Sequence, residues 1–284
     1  MRRSWITLAV MLGLVAGLGM WLWLRPADVK PSRERVSEIE PDSVRELRIE
    51  WANKASVALK KENGVWRLVA PRAGRAEPLQ IERILSLLRA SSELSLPATD
   101  LARFELDQPR ARITVDGERY AMGGLNPLTG GVYVQRGDKV LLLEPRYAGT
   151  VPGDPQSLND RRVLAAEETP VSFTFPQFKV AQEQGKWNVT PRDGELSQDD
   201  VLRWVEGWKL AAGLRAEPYD GRAPKTHITV DLRDGRRIAI GVAELEGEIV
   251  FTRYDEHMRY YFFANSARRL LAPPGASLAA TGVK

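Results

Sequence analysis

The chain has 284 residues, contains no cysteine and carries a formal net charge of +4. The lack of cysteine excludes disulfide bonds, thiolate catalysis and thiolate-bound zinc or iron–sulfur sites. Three of the 41 basic residues and none of the 37 acidic residues lie in residues 1–25, so the remainder has a net charge near +1. Such a balance gives no electrostatic basis for binding nucleic acid.

An uncharged run from Ser4 to Leu24 follows the two N-terminal arginines. About 20 apolar residues in a helix span the ~30 Å hydrocarbon core of a bilayer. We therefore predict a single-pass signal-anchor over residues 1–25 that contacts lipid through residues 4–24. The alternative is a cleaved signal peptide, but the run exceeds the ~7–15 apolar residues of such peptides and lacks a small-residue cleavage site.

The position of this run sets the expected topology. Because it begins at residue 4, no domain is left on the cytoplasmic side. We expect the N-terminus in the cytoplasm, the span in a bacterial cytoplasmic (inner) membrane, and the rest outside the cytoplasm, in the periplasm. Residues 26–43 are polar and broken by three prolines, which predicts a tether. Residues 273–284 show no periodicity, which predicts a disordered tail.

Two tandem units, residues 44–165 and 166–272, repeat one pattern. Each opens with alternating apolar residues and continues into a Gly-x-Trp run that contains Trp66 or Trp187. Asn63-Gly64 and Gln184-Gly185 separate the alternating runs, and such dipeptides favour β-hairpin turns. Later strands repeat at matching spacings, because Phe104 precedes Ile113 and Tyr219 precedes Ile228 by the same nine residues.

An amphipathic helix is predicted after each hairpin. The first begins at about Pro78, and its apolar positions are Leu79, Ile81, Ile84, Leu85 and Leu88. The second begins at a predicted capping box, Ser197-x-x-Asp200, and its apolar positions are Val201, Val205 and Trp208. The predicted fold class is therefore α+β, an N-terminal transmembrane helix followed by two repeats of antiparallel strands with a packed helix.

These stretches resemble the bacterial "domain of unknown function 4340" family over residues 45–165. The resemblance is carried by GVWRLVAP (64–71), ARFELDQPRARITV (102–115), GGVYVQRGDKVLLLEP (130–145) and SLNDRRVL (157–164). The positions that match are Phe104, Leu106, Pro109, Tyr133, Val134, Asp160, Arg161 and Arg162. Glu105 departs from the usual glycine. The resemblance implies that the protein is encoded beside an ABC-type transporter and a gliding-motility-type auxiliary protein, and it implies no chemistry.

Several residues that could carry chemistry are explained more simply. His227 and His257 are far apart in the sequence, and two surface histidines explain them better than a metal or proton-transfer pair. The glycine-rich stretch 123–131 lacks the Gly-Lys-Ser/Thr end of a phosphate loop, so a wide connection between strands explains it better. The carboxylates Asp154, Asp160, Asp193, Asp199 and Asp200 form no pattern that a glycosidase requires, and Asp160 is expected to pair with Arg161.

Aromatic and arginine residues near the C-terminus are the most promising candidates for a partner surface. The residues concerned are Trp204, Trp208, Arg253, Tyr254, Arg259 and Tyr260. Protein interfaces are enriched in Trp, Tyr and Arg, although a helix and a sheet also need such side chains in their core. Both interpretations stay open, and the core interpretation is favoured.

The sequence therefore predicts a non-enzymatic, membrane-anchored accessory or interaction module with no catalytic, cofactor or metal site. ABC-type transporter subunits are its expected partners. The alternative is a protein that binds or processes envelope glycans with a carboxylate pair in a cleft between the repeats.

Overall fold

A computed structural model describes residues 33–191, 197–219, 221 and 227–274, together with Met11, Gly13 and Met20. Apart from those three positions, the predicted membrane span lies outside the described residues. In the part that is described, no helix is both long and apolar enough to cross a membrane. The chain forms a mixed α+β structure with two large antiparallel sheets and three α-helices among these residues.

The first sheet has nine strands in the order β5-β4-β3-β2-β8-β9-β10-β11-β7. Its strands are β2 (Glu46–Trp51), β3 (Val57–Glu62), β4 (Val65–Ala70), β5 (Gly74–Arg75), β7 (Ser95–Pro97), β8 (Ala111–Val115), β9 (Glu118–Leu125), β10 (Val132–Arg136) and β11 (Lys139–Leu143). Two further short strands, β1 (Glu34–Arg35) and β6 (Ser91–Ser92), pair with each other.

The second sheet has eight strands in the order β14-β13-β12-β16-β17-β18-β19-β15. Its strands are β12 (Pro170–Thr174), β13 (Lys179–Glu183), β14 (Lys186–Thr190), β15 (Arg215–Pro218), β16 (His227–Leu232), β17 (Arg237–Leu245), β18 (Glu248–Arg253) and β19 (Met258–Phe263). Both sheets place an N-terminal three-stranded meander beside a later four-stranded meander, in the same succession.

The predicted hairpins form at both places. Asn63 and Gly64 have φ of 50° and 82°, and Gln184 and Gly185 have φ of 51° and 80°. Two successive positive φ angles are those of a two-residue turn whose twist matches the strands that it joins. The strands on either side of each turn pair in register, Glu62 with Val65 and Glu183 with Lys186.

Three α-helices pack on the sheets: α1 (Pro78–Leu85), α2 (Gln198–Lys209) and α3 (Ala264–Leu271). Helix α1 continues as a 3₁₀ turn through Arg89, and Ile81, Ile84, Leu85 and Leu88 are buried as predicted. The assignment of Leu79 to that face is wrong, because its side chain is 70% exposed on the first turn.

The predicted capping box does not form, although Ser197 does occupy the N-cap position of α2. The Ser197 side chain caps no backbone N–H, and the Asp200 carboxylate pairs with the exposed Arg203 one turn along the helix. The buried face agrees with the prediction, since Val201, Val205 and Trp208 are at most 2% exposed.

Residues 33–43, the second half of the predicted tether, are packed on the first sheet. The Val36 side chain is fully buried, and its N–H donates to the Ala90 carbonyl at 2.9 Å. The Arg136 guanidinium donates to the Val36 carbonyl at 3.0 Å, and the Ser37 hydroxyl donates to Glu118 at 2.8 Å. The folded part therefore begins before residue 44, because one buried valine and a set of hydrogen bonds fix this polar segment.

Each sheet has its own hydrophobic core on the face that its helices cover. Ile81 and Ile84 of α1 meet Leu47, Ile49 and other residues of the first sheet. The second core is rich in aromatic side chains, namely Phe173, Phe175, Trp187, Trp204, Trp208, Phe251, Tyr260 and Phe262. A segment that contains buried Glu168 and Asp160 connects the two, and this segment positions the candidate site.

Candidate functional site

Arg75 joins the first sheet to the second. It lies at the end of edge strand β5, and one guanidinium nitrogen contacts Asp160 of the connecting segment at 3.0 Å. A second nitrogen donates to the Tyr260 hydroxyl at 2.7 Å and to Glu256 at 3.1 Å, both in the second sheet or its β18–β19 turn. The Arg75 side chain is 11% exposed, so these contacts are largely shielded from water.

Arg253 binds the same connecting segment and shares two partners with Arg75, the Val163 carbonyl and the Glu256 carboxylate. Its guanidinium donates to the Glu168 carboxylate at 2.9 and 3.1 Å and to the Asp255 carboxylate at 2.9 and 2.7 Å. It also donates to the Val163 carbonyl at 2.8 Å. The Arg253 side chain is fully buried, and a buried charge requires such partners because its removal from water is otherwise costly.

The pKa shifts of these groups follow from their ion pairs. Burial alone raises the pKa of Glu168, but hydrogen bonds and charge from Arg253 outweigh it and hold the pKa below its ordinary value. The same balance between burial and Arg253 lowers the pKa of Asp255. Burial lowers the pKa of Arg75, yet Tyr260, Glu256 and Asp160 together raise it above its usual value. The charges of Glu168, Asp255 and Arg75 therefore persist at neutral pH.

A groove of about 480 Å³ lies beside this cluster. We call it the Trp66 groove. Strand β4 of the first sheet and helix α1, which packs on that sheet, form one wall. The connecting segment, including Asp160 and Glu167, forms the other. Its volume falls within the range of ordinary small-molecule sites.

The two equivalent tryptophans differ in their surroundings. Trp187 is buried beside Phe173 at a ring-centroid distance of 6.4 Å, and the Gln198 amide bonds both to its backbone N–H at 3.0 Å and to its carbonyl at 2.8 Å. Trp66 is half-buried, packs on the core with part of its ring and lines the groove. The groove therefore occurs beside the tryptophan of the first sheet.

The groove rim carries loose ion pairs of both signs. Arg67 and Glu167 are 3.8 Å apart, and Arg89 and Asp42 are 3.4 Å apart, with all four side chains well exposed. Lys61 donates to the Asp42 carbonyl at 3.0 Å. Such exposed ion pairs contribute little to the free energy of unfolding. A ligand that bonds to these side chains instead would therefore cost the protein little stability.

The structure places four of the six predicted surface residues in the interior. Trp204 and Trp208 are 7% and 0% exposed, and both indoles donate to the Leu270 carbonyl at 3.0 Å. Arg253 and Tyr260 are 0% and 1% exposed. These side chains cannot form an exposed partner surface, because α3 and the connecting segment cover them.

Tyr254 and Arg259 are half-buried on the opposite face of the second sheet. The Arg259 guanidinium lies over the Tyr219 ring at 3.9 Å, and the Tyr219 and Tyr254 rings are 6.4 Å apart. The four predicted residues of β18, β19 and their turn are thus divided between the two faces of the second sheet. The alternation of side chains along β18 and β19 distinguishes the buried residues from the half-buried ones, because Arg253 lies on the same face as buried Phe251.

The other candidates have structural roles. His227 and His257 are exposed, and Gly123 is needed because a Cβ there would lie 2.3 Å from the Phe104 carbonyl. The expected Asp160–Arg161 pair is wrong, since Asp160 binds Arg75 and Arg162. Asp193 lies outside the described residues. Among the described residues, no group of three or more His, Asp or Glu side chains is placed to hold a metal.

No local pattern indicates the role of Arg75, because its partners Asp160 and Glu256 are 85 and 181 residues away. No curated protein and no solved structure matches the chain. A family profile matches residues 66–209, just over half of the chain, from β4 through the connecting segment to the end of α2. This match begins later and extends further than the resemblance at 45–165 suggested. The chain therefore belongs to the family described as "Domain of unknown function (DUF4340)".

Proposed function

We propose that the protein is a non-enzymatic accessory or interaction module, anchored in the bacterial inner membrane and facing the periplasm. The apolar run at residues 4–24, which is long enough to cross a bilayer as a helix, supports the anchor. The family resemblance supports an association with an ABC-type transport or gliding-motility-like complex.

We further infer that the two sheets arose by duplication of one unit. The equal strand succession supports this, and so do two equivalent entry segments. Val36 donates to the Ala90 carbonyl and Val163 to the Ala211 carbonyl, both at 2.9 Å. An arginine binds the carbonyl of each valine, Arg136 in the first unit and Arg253 in the second. If these entry segments are included, the first unit begins near residue 33 and the second near residue 159.

The observation that carries the proposal is the Arg75–Asp160–Glu256 junction. Arg75 of the first unit binds the entry segment and the β18–β19 turn of the second, so the two units are joined by buried ion pairs. Separation of the two units would leave these shielded charges without their partners, so the junction opposes independent movement of the units. A rigid scaffold close to the membrane supports a role in assembly.

The glycan-processing alternative receives little support from the same groups. Glycoside hydrolysis needs one carboxylic acid with a raised pKa, which donates a proton to the leaving oxygen. The pKa of Glu168 and that of Asp255 are lowered, and Asp160 lies 3.0 Å from both Arg75 and Arg162. These paired carboxylates are suited to holding the chain together and poorly suited to proton transfer.

Two experiments test the proposal in turn. Two reporters are fused after Lys284 in separate experiments. A reporter enzyme that works only in the periplasm should be active, and one that works only in the cytoplasm should be inactive. The reverse result overturns the topology. Crosslinking of the full chain in its native membrane should then recover ABC-type transporter subunits. The same two units exported behind a cleavable signal peptide are the matched control. Recovery of monomer alone contradicts the association.

A further inference from the structure

We propose that the Trp66 groove is a binding site for a neutral saccharide. The inference concerns recognition only, without any cleavage step, and it does not depend on the anchor or on a transporter partner. Three observations carry it: the indole in the groove, the balance of charge around it, and the contrast with the second unit.

The floor of the groove suits a flat molecule with an apolar face. The groove lining includes the apolar residues Val65, Trp66, Pro78 and Leu85, and Val65 is 51% exposed. A sugar ring presents C–H groups on one face and can lie on an indole, which gains from apolar burial without losing a hydrogen bond. The groove volume of about 480 Å³ accommodates a short oligosaccharide.

The rim suits a ligand that is uncharged and rich in hydroxyl groups. Four cations that border the groove are Lys61, Arg67, Arg89 and Arg162. Three carboxylates that border it are Asp42, Glu82 and Glu167. A hydroxyl group both donates and accepts, so it can bond to carboxylates and guanidinium groups alike.

The same balance disfavours a strongly charged occupant. A polyanion or an acidic peptide would gain from the arginines but would be repelled by Asp42 and Glu167, whose side chains are 95% and 57% exposed. The Asp160 carboxylate and the Arg75 guanidinium at the back of the groove neutralise each other at 3.0 Å. The lining has only one more cation than carboxylates, so it fits a neutral ligand rich in hydroxyl groups better than a ligand with several like charges.

The second unit places its equivalent tryptophan in a different setting. Trp187 is buried in the core, and the Gln198 side chain of α2 bonds to its backbone on both sides. Trp66 is only half-buried and lines the groove. The two units therefore differ in how much of this tryptophan is available to a ligand.

Calorimetric titration of the full-length chain tests the proposal. The protein is held in a detergent without a sugar headgroup and titrated with chitotetraose, cellotetraose and maltotetraose. We expect at least one to bind, and we expect Trp66→Ala and the exposed rim variant Arg89→Ala each to weaken that binding by about tenfold or more. Trp66→Phe, which keeps a flat ring, should retain most of the affinity.

Val69→Ala is the matched control, because Val69 is a 39% exposed residue of the same strand outside the groove lining. It should bind as the unmodified chain does. The proposal is overturned if none of the three oligosaccharides binds, or if Trp66→Ala and Arg89→Ala both bind as tightly as Val69→Ala. Arg89→Ala keeps the test decisive if Trp66→Ala fails to fold.

Discussion

The Arg253 guanidinium holds the Glu168 carboxylate through two hydrogen bonds of 2.9 and 3.1 Å, although the residues are 85 positions apart. Their side chains are 0% and 3% exposed. Glu168 also accepts a hydrogen bond from the Ala165 N–H at 2.8 Å, so the carboxylate closes the turn at the end of the connecting segment. The pair thereby fixes the path of the chain between the two sheets.

Arg253→Met should destabilise the protein by about 3–5 kcal/mol, because it leaves Glu168 buried without its main counter-charge. Arg236→Ala is the matched control: Arg236 also contacts Glu168, at 3.4 Å, but its side chain is 55% exposed. That loss should cost about 1 kcal/mol or less. Urea unfolding of the full chain measures both, and equal losses would contradict the special role of Arg253.

Acid should weaken the same cluster. The folded-state pKa values of Glu168 and Asp255 lie below their ordinary values of 4.5 and 3.8. Their contribution to the free energy of unfolding is therefore complete above about pH 4.5 and is lost as the pH falls further towards the folded-state values. Glu168→Gln should be less stable at neutral pH and should show a shallower decline in acid. An unchanged slope between about pH 5 and pH 3 would refute this assignment.

Arg75→Ala should loosen the junction between the sheets without unfolding either one. The change removes the contacts to Asp160, Glu256 and Tyr260, so amide hydrogen exchange should increase over residues 159–164 and in the β18–β19 turn. The central strand β16 should keep its protection. Arg67→Ala is the control on the neighbouring strand, since Arg67 makes only a loose, exposed contact of 3.8 Å with Glu167. Faster exchange throughout the second sheet would indicate global unfolding instead.

Most local patterns in the sequence predict the structure correctly. Both Gly-containing turns, the α+β class and, apart from Leu79, the buried faces of α1 and α2 follow from short-range periodicity, whereas the capping box at Ser197 does not form. The segment at residues 33–37 was not predicted, because a single apolar residue, Val36, carries its burial. Helix α3 was not predicted either, and it is the helix that covers Trp204 and Trp208.

The candidate site was harder to predict because it consists of contacts between distant residues. Asp160 was assigned to its neighbour Arg161, but strand pairing turns its carboxylate towards Arg75. Arg253 and Tyr260 were grouped with Tyr254 and Arg259 by residue type, although alternation along the strands places them on opposite faces. Residue type marked the right region, and the period of two decides which face each residue occupies.

The two entry segments offer a direct comparison within one molecule. Val36→Ala and Val163→Ala each remove two methyl groups from a fully buried position, so each should cost about 2 kcal/mol in the free energy of unfolding. Val69→Ala, at a 39% exposed position, should cost much less. Hydrogen exchange should rise over residues 33–37 in the first variant and over residues 160–164 in the second, because each valine N–H bonds to an alanine carbonyl. If Val36→Ala proved as mild as Val69→Ala, residues 33–37 would act as a tether that merely rests on the sheet, and the equivalence of the two units would begin only after residue 43.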